Sequence, residues 1–261
     1  MGLMKTELEQ VRVGLMLPGA IRFSDHGNIN PTFKAHVKTH DDVIQAYVKF
    51  VPYREIYVEC VCATIGRFIG LPIPKPLIVQ VDHSAIADIP DGEFRLAFGS
   101  EDSAYPSLKR RGVSDELFKS LEDFRLTLDI GVFDEWIANP DRHAGNILFD
   151  GSENFVFIDH GLSLASELSA DDSASQNIIV DHFYSAKSEF EKFKTNKDAQ
   201  SNIMPLYYGL PLSVLSEKTF GTSYLNIEEV LSVINFLEER STKLKILFER
   251  RLRLKQQELA I

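Results

Sequence analysis

The chain has 261 residues, enough for one large or two small domains, and its 44% hydrophobic and 25% charged composition is that of an ordinary globular protein. A net charge of −10 argues against a general nucleic-acid binder, which needs a basic face. No run of 18 apolar residues occurs and the N-terminus lacks the apolar stretch of a signal peptide, so neither a membrane span nor export is expected and a cytoplasmic location follows. Cys60 and Cys62 are the only cysteines, two apart on an expected helix. They point in different directions and are expected as reduced, buried thiols, and zinc is not expected.

Residues 11–23 are apolar and β-prone around Pro18-Gly19 and predict one or two strands. A turn-rich loop, Ser24 to Thr32, precedes Thr32–Val37, which alternates apolar and polar residues as a half-buried strand does. After a turn at Asp41-Asp42 a third strand is expected over Ile44–Val51, carrying Lys49. Helical apolar spacing predicts a helix over about Tyr53–Ile69, stopped by Gly70 at the C′ position and by Pro72 and Pro74. Glu55 and Glu59 share one face of it. Strands follow at Leu77–Val81 and Phe94–Phe98. Ser114 is an N-cap for a long helix running to about Ile137. Beyond Gly161 lies a Ser- and Asp-rich segment, Leu162–Gln176, then helical character near Ser185–Phe193. Asn226 and Glu229 form a capping-box-like start for one helix, and a second is expected from about Ser241. The six Lys and Arg between Lys243 and Lys255 read as a solvated helix face.

The chemistry concentrates in residues 139–161. Two apolar runs, Ile147–Phe149 and Phe155–Ile158, flank Asp150-Gly151, and Asp-Gly between short apolar strands is a hairpin signal because both residues tolerate positive φ. The hairpin is expected to set Asp141, Asn146 and Asp159 side by side at its open end. Two carboxylates and an amide oxygen are hard ligands suited to Mg²⁺ shared with a phosphate, and one carboxylate could instead orient a hydroxyl for in-line attack. Protein kinases place an Asp, an Asn five positions on, a hairpin, then a metal-binding Asp before a Gly, and this chain has that spacing with Asp159-His160-Gly161.

The motif Asp-Arg-His-x-x-Asn followed by Ile-Asp-His-Gly resembles the catalytic and metal loops of the HipA-like kinases, and of the phosphoinositide kinases related to them. The resemblance covers roughly residues 11–165. It implies a two-lobed, protein-kinase-like α+β fold: a β-rich N-lobe over residues 1–98 and a mostly helical C-lobe over residues 99–261. It implies ATP and Mg²⁺, with Asp141 as catalytic base, Asn146 and Asp159 on the metal, and Lys49 on the α- and β-phosphates, held by Glu59 with Glu55 in reserve. Arg142 and His143 would support the loop, His143 with a possible direct role. The loop Gly27, Asn28, Ile29, Asn30 would lie over the phosphates, resembling Gly-x-Thr-x-Pro with Ile29 where Thr is usual. Leu96, Phe98 and Gly99 would form the adenine hinge. By the same resemblance the acceptor is a Ser or Thr hydroxyl of a protein, including the enzyme itself. A phosphoinositide or small alcohol is the alternative acceptor, and a nucleotide-binding pseudokinase the alternative class. HipA-like toxins pair with a small antitoxin, but at this length the chain is expected to lack the extra N-terminal domain of full-length HipA, so a toxin role is not carried over.

Overall fold

The structure is a computed structural model that describes residues 7–23 and 30–254. The chain divides into two compact units: Met1–Tyr105 with Val156–Gly161 and Ser213–Leu231, and Pro106–Phe155 with Leu162–Leu212 and Ser232–Ile261. The first is β-rich and the second mostly helical.

The first unit carries six strands: β1 (Arg12–Met16), β2 (Ile21–Phe23), β3 (Thr32–Lys38), β4 (Val43–Lys49), β5 (Pro76–Asp82) and β6 (Phe94–Glu101). They order β1-β5-β6-β4-β3-β2, and β1 also pairs with β3, so the sheet curls round and closes. Among the described residues, only the β1–β5 pair is parallel. Closure brings β1 hard against β3 at Gly14, where a Cβ would lie 2.5 Å from Val37 Cγ1 and 3.0 Å from the Lys38 carbonyl oxygen. Only glycine admits that approach.

The alternation visible in the sequence sorts the strand residues to two faces. Met16, Val37, Ala46, Val48, Leu77, Val79, Val81 and Ala97 fill the inside of the curled sheet. Ile78 and Phe98 point the other way, onto Val11 and onto Ile56 and Cys60 of α1 (Tyr53–Phe68). This helix is buried nearly all round, including Cys60 and Cys62, neither of which is in a disulfide. It stops where the sequence says: Gly70 takes φ 88°, and the Leu71 N–H donates to the Gly66 carbonyl at 2.8 Å. The segment with α7 (Leu215–Lys218) belongs to this unit, the Val11 N–H donating to the Lys218 carbonyl at 2.8 Å.

The second unit holds α2 (Leu108–Arg111), α3 (Asp115–Asp123), α4 (Thr127–Trp136), α5 (Ile178–Phe183) and α6 (Glu189–Asp198). The long helix α8 (Ile227–Arg251) lies in it from Ser232 onward. The short strands β7 (Ile147–Phe149) and β8 (Phe155–Phe157) make a two-stranded sheet. Asp150 turns the chain between them. Its carboxylate accepts the Ser152 N–H at 2.7 Å and the Asn154 N–H at 3.1 Å, and the Phe149 and Phe155 rings stack at 4.4 Å.

Two expectations need correction. The helix expected from Ser114 to Ile137 is two helices, since Phe124 turns extended (ψ 127°) and the buried Thr127 hydroxyl donates to the Leu121 carbonyl. The two helices expected at the C-terminus are one, because nothing between Leu237 and Ser241 interrupts the backbone ladder. Of the residues expected at the hinge, Phe98 and Gly99 lie within β6 (Phe94–Glu101). They have β5 on one side and β4 on the other, while Leu96 pairs with Gln80 of β5. Their main-chain groups already serve the sheet, and the strand runs on to Glu101 before the chain leaves it.

Candidate active site

Two groups of polar residues stand out, one in each unit. In the first unit Lys49, the last residue of β4, donates from Nζ to Asp159 Oδ1 at 2.8 Å. Glu55 Oε1 lies 3.6 Å from the same nitrogen and Glu59 Oε1 4.0 Å. The two glutamates stand one turn apart on α1, so both reach the end of β4. Glu59 also accepts the His160 N–H at 2.9 Å, which fastens the Asp159-His160-Gly161 stretch to the helix. Gly161 passes so close that a Cβ would stand 2.5 Å from Glu55 Cγ. Asp159 has left-handed backbone at φ 62°, a conformation Asp tolerates better than most residues and one that collects at functional sites.

One cation here faces three carboxylates. Burial alone would lower the Lys49 pKa, but Asp159, Glu59 and Glu55 together outweigh it and raise it, so the ammonium stays charged. Burial pushes the fully enclosed Glu59 up to about 8, with the Asp159 charge adding to the shift and Lys49 opposing it. Burial likewise raises Glu55. The Lys49 ammonium thus stays charged among acidic groups whose own ionisation burial resists.

In the second unit the loop 139–146 hangs from the end of α4 by a buried ion pair. Arg142 and Asp134 have no exposed side-chain surface, and two parallel bonds of 2.9 Å join them, Nε to Oδ2 and Nη2 to Oδ1. Arg142 Nη1 also donates to the Asn146 carbonyl at 3.2 Å. Asn139 donates to Asp134 Oδ1 at 2.8 Å, and its own Oδ1 accepts the Asp141 N–H at 3.0 Å, making an Asx turn over Pro140. Asn146 Nδ2 donates to the Asp141 carbonyl at 2.8 Å, and committing the amide nitrogen there leaves Oδ1, an acceptor atom, as the side chain's remaining polar atom. His143 is half-exposed. Its Nδ1 accepts the Gly145 N–H at 2.9 Å, so the neutral ring carries its proton on Nε2, which faces Asp141 Oδ2 at 3.8 Å.

Asp141, Asn146 and His143 are thus brought together, and so are Lys49, Glu59 and Asp159. Gly27, Asn28 and Ile29 lie outside the described residues. Asn30 accepts the Thr32 hydroxyl at its carbonyl at 3.1 Å, and the adjoining Pro31 carbonyl accepts the Phe50 N–H at 3.0 Å. No cluster of three or more His, Cys, Asp or Glu suited to a metal occurs among the described residues. Asp134 is the residue sequence reasoning missed. The available signal was the pair Asp134-Glu135 inside an otherwise apolar helix end, since carboxylates among Phe133 and Trp136 must find partners.

The family model described as a HipA-like kinase matches residues 35–208. No curated protein matches the chain. Among solved structures, a Helicobacter pylori proinflammatory kinase, CtkA, superposes with a TM-score of 0.57 at 15% sequence identity, covering 95% of this chain and 98% of that one. At that identity the likeness speaks for the fold. The family match spans well over half of the sequence and includes Lys49, Glu59, Asp141, Asn146 and Asp159, and on that ground the chain belongs to the HipA-like kinase family.

Proposed function

We propose that this kinase transfers the γ-phosphoryl group of ATP, with Mg²⁺, to a Ser or Thr hydroxyl of a protein, and that the two units are the small and large lobes of a protein-kinase-like fold. The observation that carries the reading is the ion pair of Lys49 with Asp159, braced by Glu59 through the His160 N–H. A kinase needs a lysine for phosphate oxygens and an aspartate for the metal, each held in place before the ligand arrives. The acidic groups around Lys49 suit a divalent cation, which would lower the repulsion among them.

In this reading Lys49 binds the α- and β-phosphates and Glu59 positions it. Asp159 and Asn146 hold Mg²⁺, which supplies charge neutralisation to the triphosphate. Asp141 orients the acceptor hydroxyl and takes its proton late in the transfer, with the His143 Nε2–H beside it. Asp134, through Arg142 and Asn139, keeps Asp141 and Asn146 in register. Little covalent chemistry falls to the protein, so positioning and electrostatics suffice. The family resemblance further suggests a small antitoxin-like regulator as a partner, which co-purification from the source cell tests.

The deciding experiment measures γ-phosphate turnover with Mg²⁺ and cell lysate, followed by mass spectrometry of phosphosites, for the wild type beside Asp141→Ala and Asp159→Ala. Phosphoserine or phosphothreonine on protein, lost in both variants, is the expected result. Nucleotide binding without turnover would make the chain a pseudokinase, and label appearing only on lipid or small alcohols would move the acceptor class.

A further inference from the structure

The basic residues of α8 do not all lie on a solvated face. Arg240 is fully buried, and its guanidinium meets four main-chain carbonyls. Nε donates to Trp136 at 2.7 Å and Nη2 to Glu135, the last two residues of α4. Nη1 donates to Ala170 at 3.3 Å and to Asp172 at 2.5 Å. The first pair of carbonyls belongs to the helix end from which the loop 139–146 springs. The second belongs to the segment that follows Asp159-His160-Gly161. Burial draws the Arg240 pKa down to about 10, which still leaves it a cation at neutral pH, as the unfilled carbonyls of a helix C-terminus favour.

Neighbours on the same helix repeat the pattern. Arg251, three turns on, pairs with the buried Glu135 carboxylate at 2.9 Å and donates to the Ala174 carbonyl. Lys243 reaches Asp171 Oδ2 at 2.9 Å, and Arg250 donates to the Asp171 carbonyl at 2.9 Å. The arginine fork, with five donors in one plane, serves all four carbonyls of the two segments at once, more than the three donors of a lysine could.

We infer that Arg240 is a positioning residue that couples the Ala170–Asp172 segment to the end of α4, so that this segment and the loop 139–146 order and loosen as one unit. The inference rests on the reading of that loop as catalytic for its kinetic consequence, and on geometry alone for its structural one. Substrate is processed well only when both segments are in place, and Arg240 touches neither nucleotide nor acceptor itself.

Hydrogen exchange and kinetics on full-length Arg240→Gln and Arg240→Lys test it. In both variants amides of 139–146 and 162–176 are expected to exchange about tenfold faster together, while the curled sheet of the first unit keeps its protection. Turnover should fall about 10²-fold through kcat with nucleotide affinity unchanged, since a displaced loop costs rate more than binding. Lysine should recover little, because its three donors on one nitrogen cannot serve the four carbonyls that the planar guanidinium holds. Loosening of one segment alone, or a loss confined to nucleotide affinity, overturns the inference. Should neither variant fold, wild-type exchange in sub-denaturing urea decides: one shared opening for both segments supports the coupling, and two separate openings refute it. A wild type with no kinase activity would sink the functional reading, while the exchange behaviour would still decide the coupling.

Discussion

The two charged groups of this molecule are built on opposite principles. Around Arg142 one buried cation meets one buried carboxylate through two bonds of 2.9 Å, and the remaining donor and acceptor sites are taken by Asn139 and the Asn146 carbonyl. Around Lys49 one cation faces three carboxylates, and one of them, Glu59, is held far above its ordinary pKa. A balanced and satisfied buried pair keeps a shape. An unbalanced cluster stores electrostatic repulsion that a ligand of opposite charge can relieve, and perturbed pKa values of this kind gather at functional sites. The comparison separates a framework pair from a cluster that, under the proposed function, is the working part.

The sharpest way to break that contrast is to ask whether stability and activity move in opposite directions. Asp159→Asn removes one of these acidic groups. Turnover should drop on the order of 10³-fold, while the melting temperature holds or rises. A variant that is both inactive and markedly unstable would show the Lys49 cluster to be framework after all. Asp134→Ala is the mirror case, leaving the Arg142 charge buried without its partner. It should cost about 3–5 kcal/mol, lowering the melting temperature by roughly 10 °C in calorimetry. A loss within about 0.5 kcal/mol, the scale of an ordinary surface change, would deny the pair its structural role.

A smaller effect separates the groups by pH. The Glu59 carboxyl moves from an ordinary 4.5 to about 8 in the folded chain, chiefly through burial. The folded state thus binds this proton more tightly than the unfolded state does. The stabilising contribution is complete below pH 4.5 and fades as pH climbs through 8. Melting temperatures recorded across that window should decline for the wild type and flatten for Glu59→Gln. An identical slope in the two proteins would assign the shift elsewhere. The least effect is expected from Glu55→Gln, whose carboxylate lies 3.6 Å from Lys49 but, unlike that of Glu59, is only partly buried and does not hold the His160 N–H. Stability should change by about 0.2–1 kcal/mol, and turnover should respond far less than in Glu59→Gln. The reverse ranking in a steady-state assay would make Glu55 the true partner of the lysine.

Much of the working part was legible in the sequence because its signals are short-range. Asp150-Gly151 between apolar runs announces the hairpin, Gly70 with its following prolines ends α1, and Ser114 and Asn226 cap their helices, each accepting the N–H three residues on. The framework was far less legible. Asp134 and Arg142 sit eight residues apart with no motif to join them. Arg240 reaches carbonyls about seventy and one hundred residues earlier in the chain. The break at Phe124 carries no Gly or Pro, so the apolar spacing ran straight through it. The longer reach of β6 has the same origin: its end depends on how far β4 runs beside it, which the local pattern of Phe94–Phe98 does not contain.

The sequence by itself determined the strands of the first unit and the helix that follows β4, the hairpin, the kinase family and the residue types around Lys49. Those features rest on turns, caps and periodicity, interactions worth about 1 kcal/mol each and settled within a few neighbouring residues. Tertiary structure alone decided which carboxylates crowd Lys49, which aspartate locks Arg142 and where the arginines of α8 point. Those outcomes turn on desolvating charges, and the cost of a buried charge depends on everything packed around it, brought from distant parts of the chain.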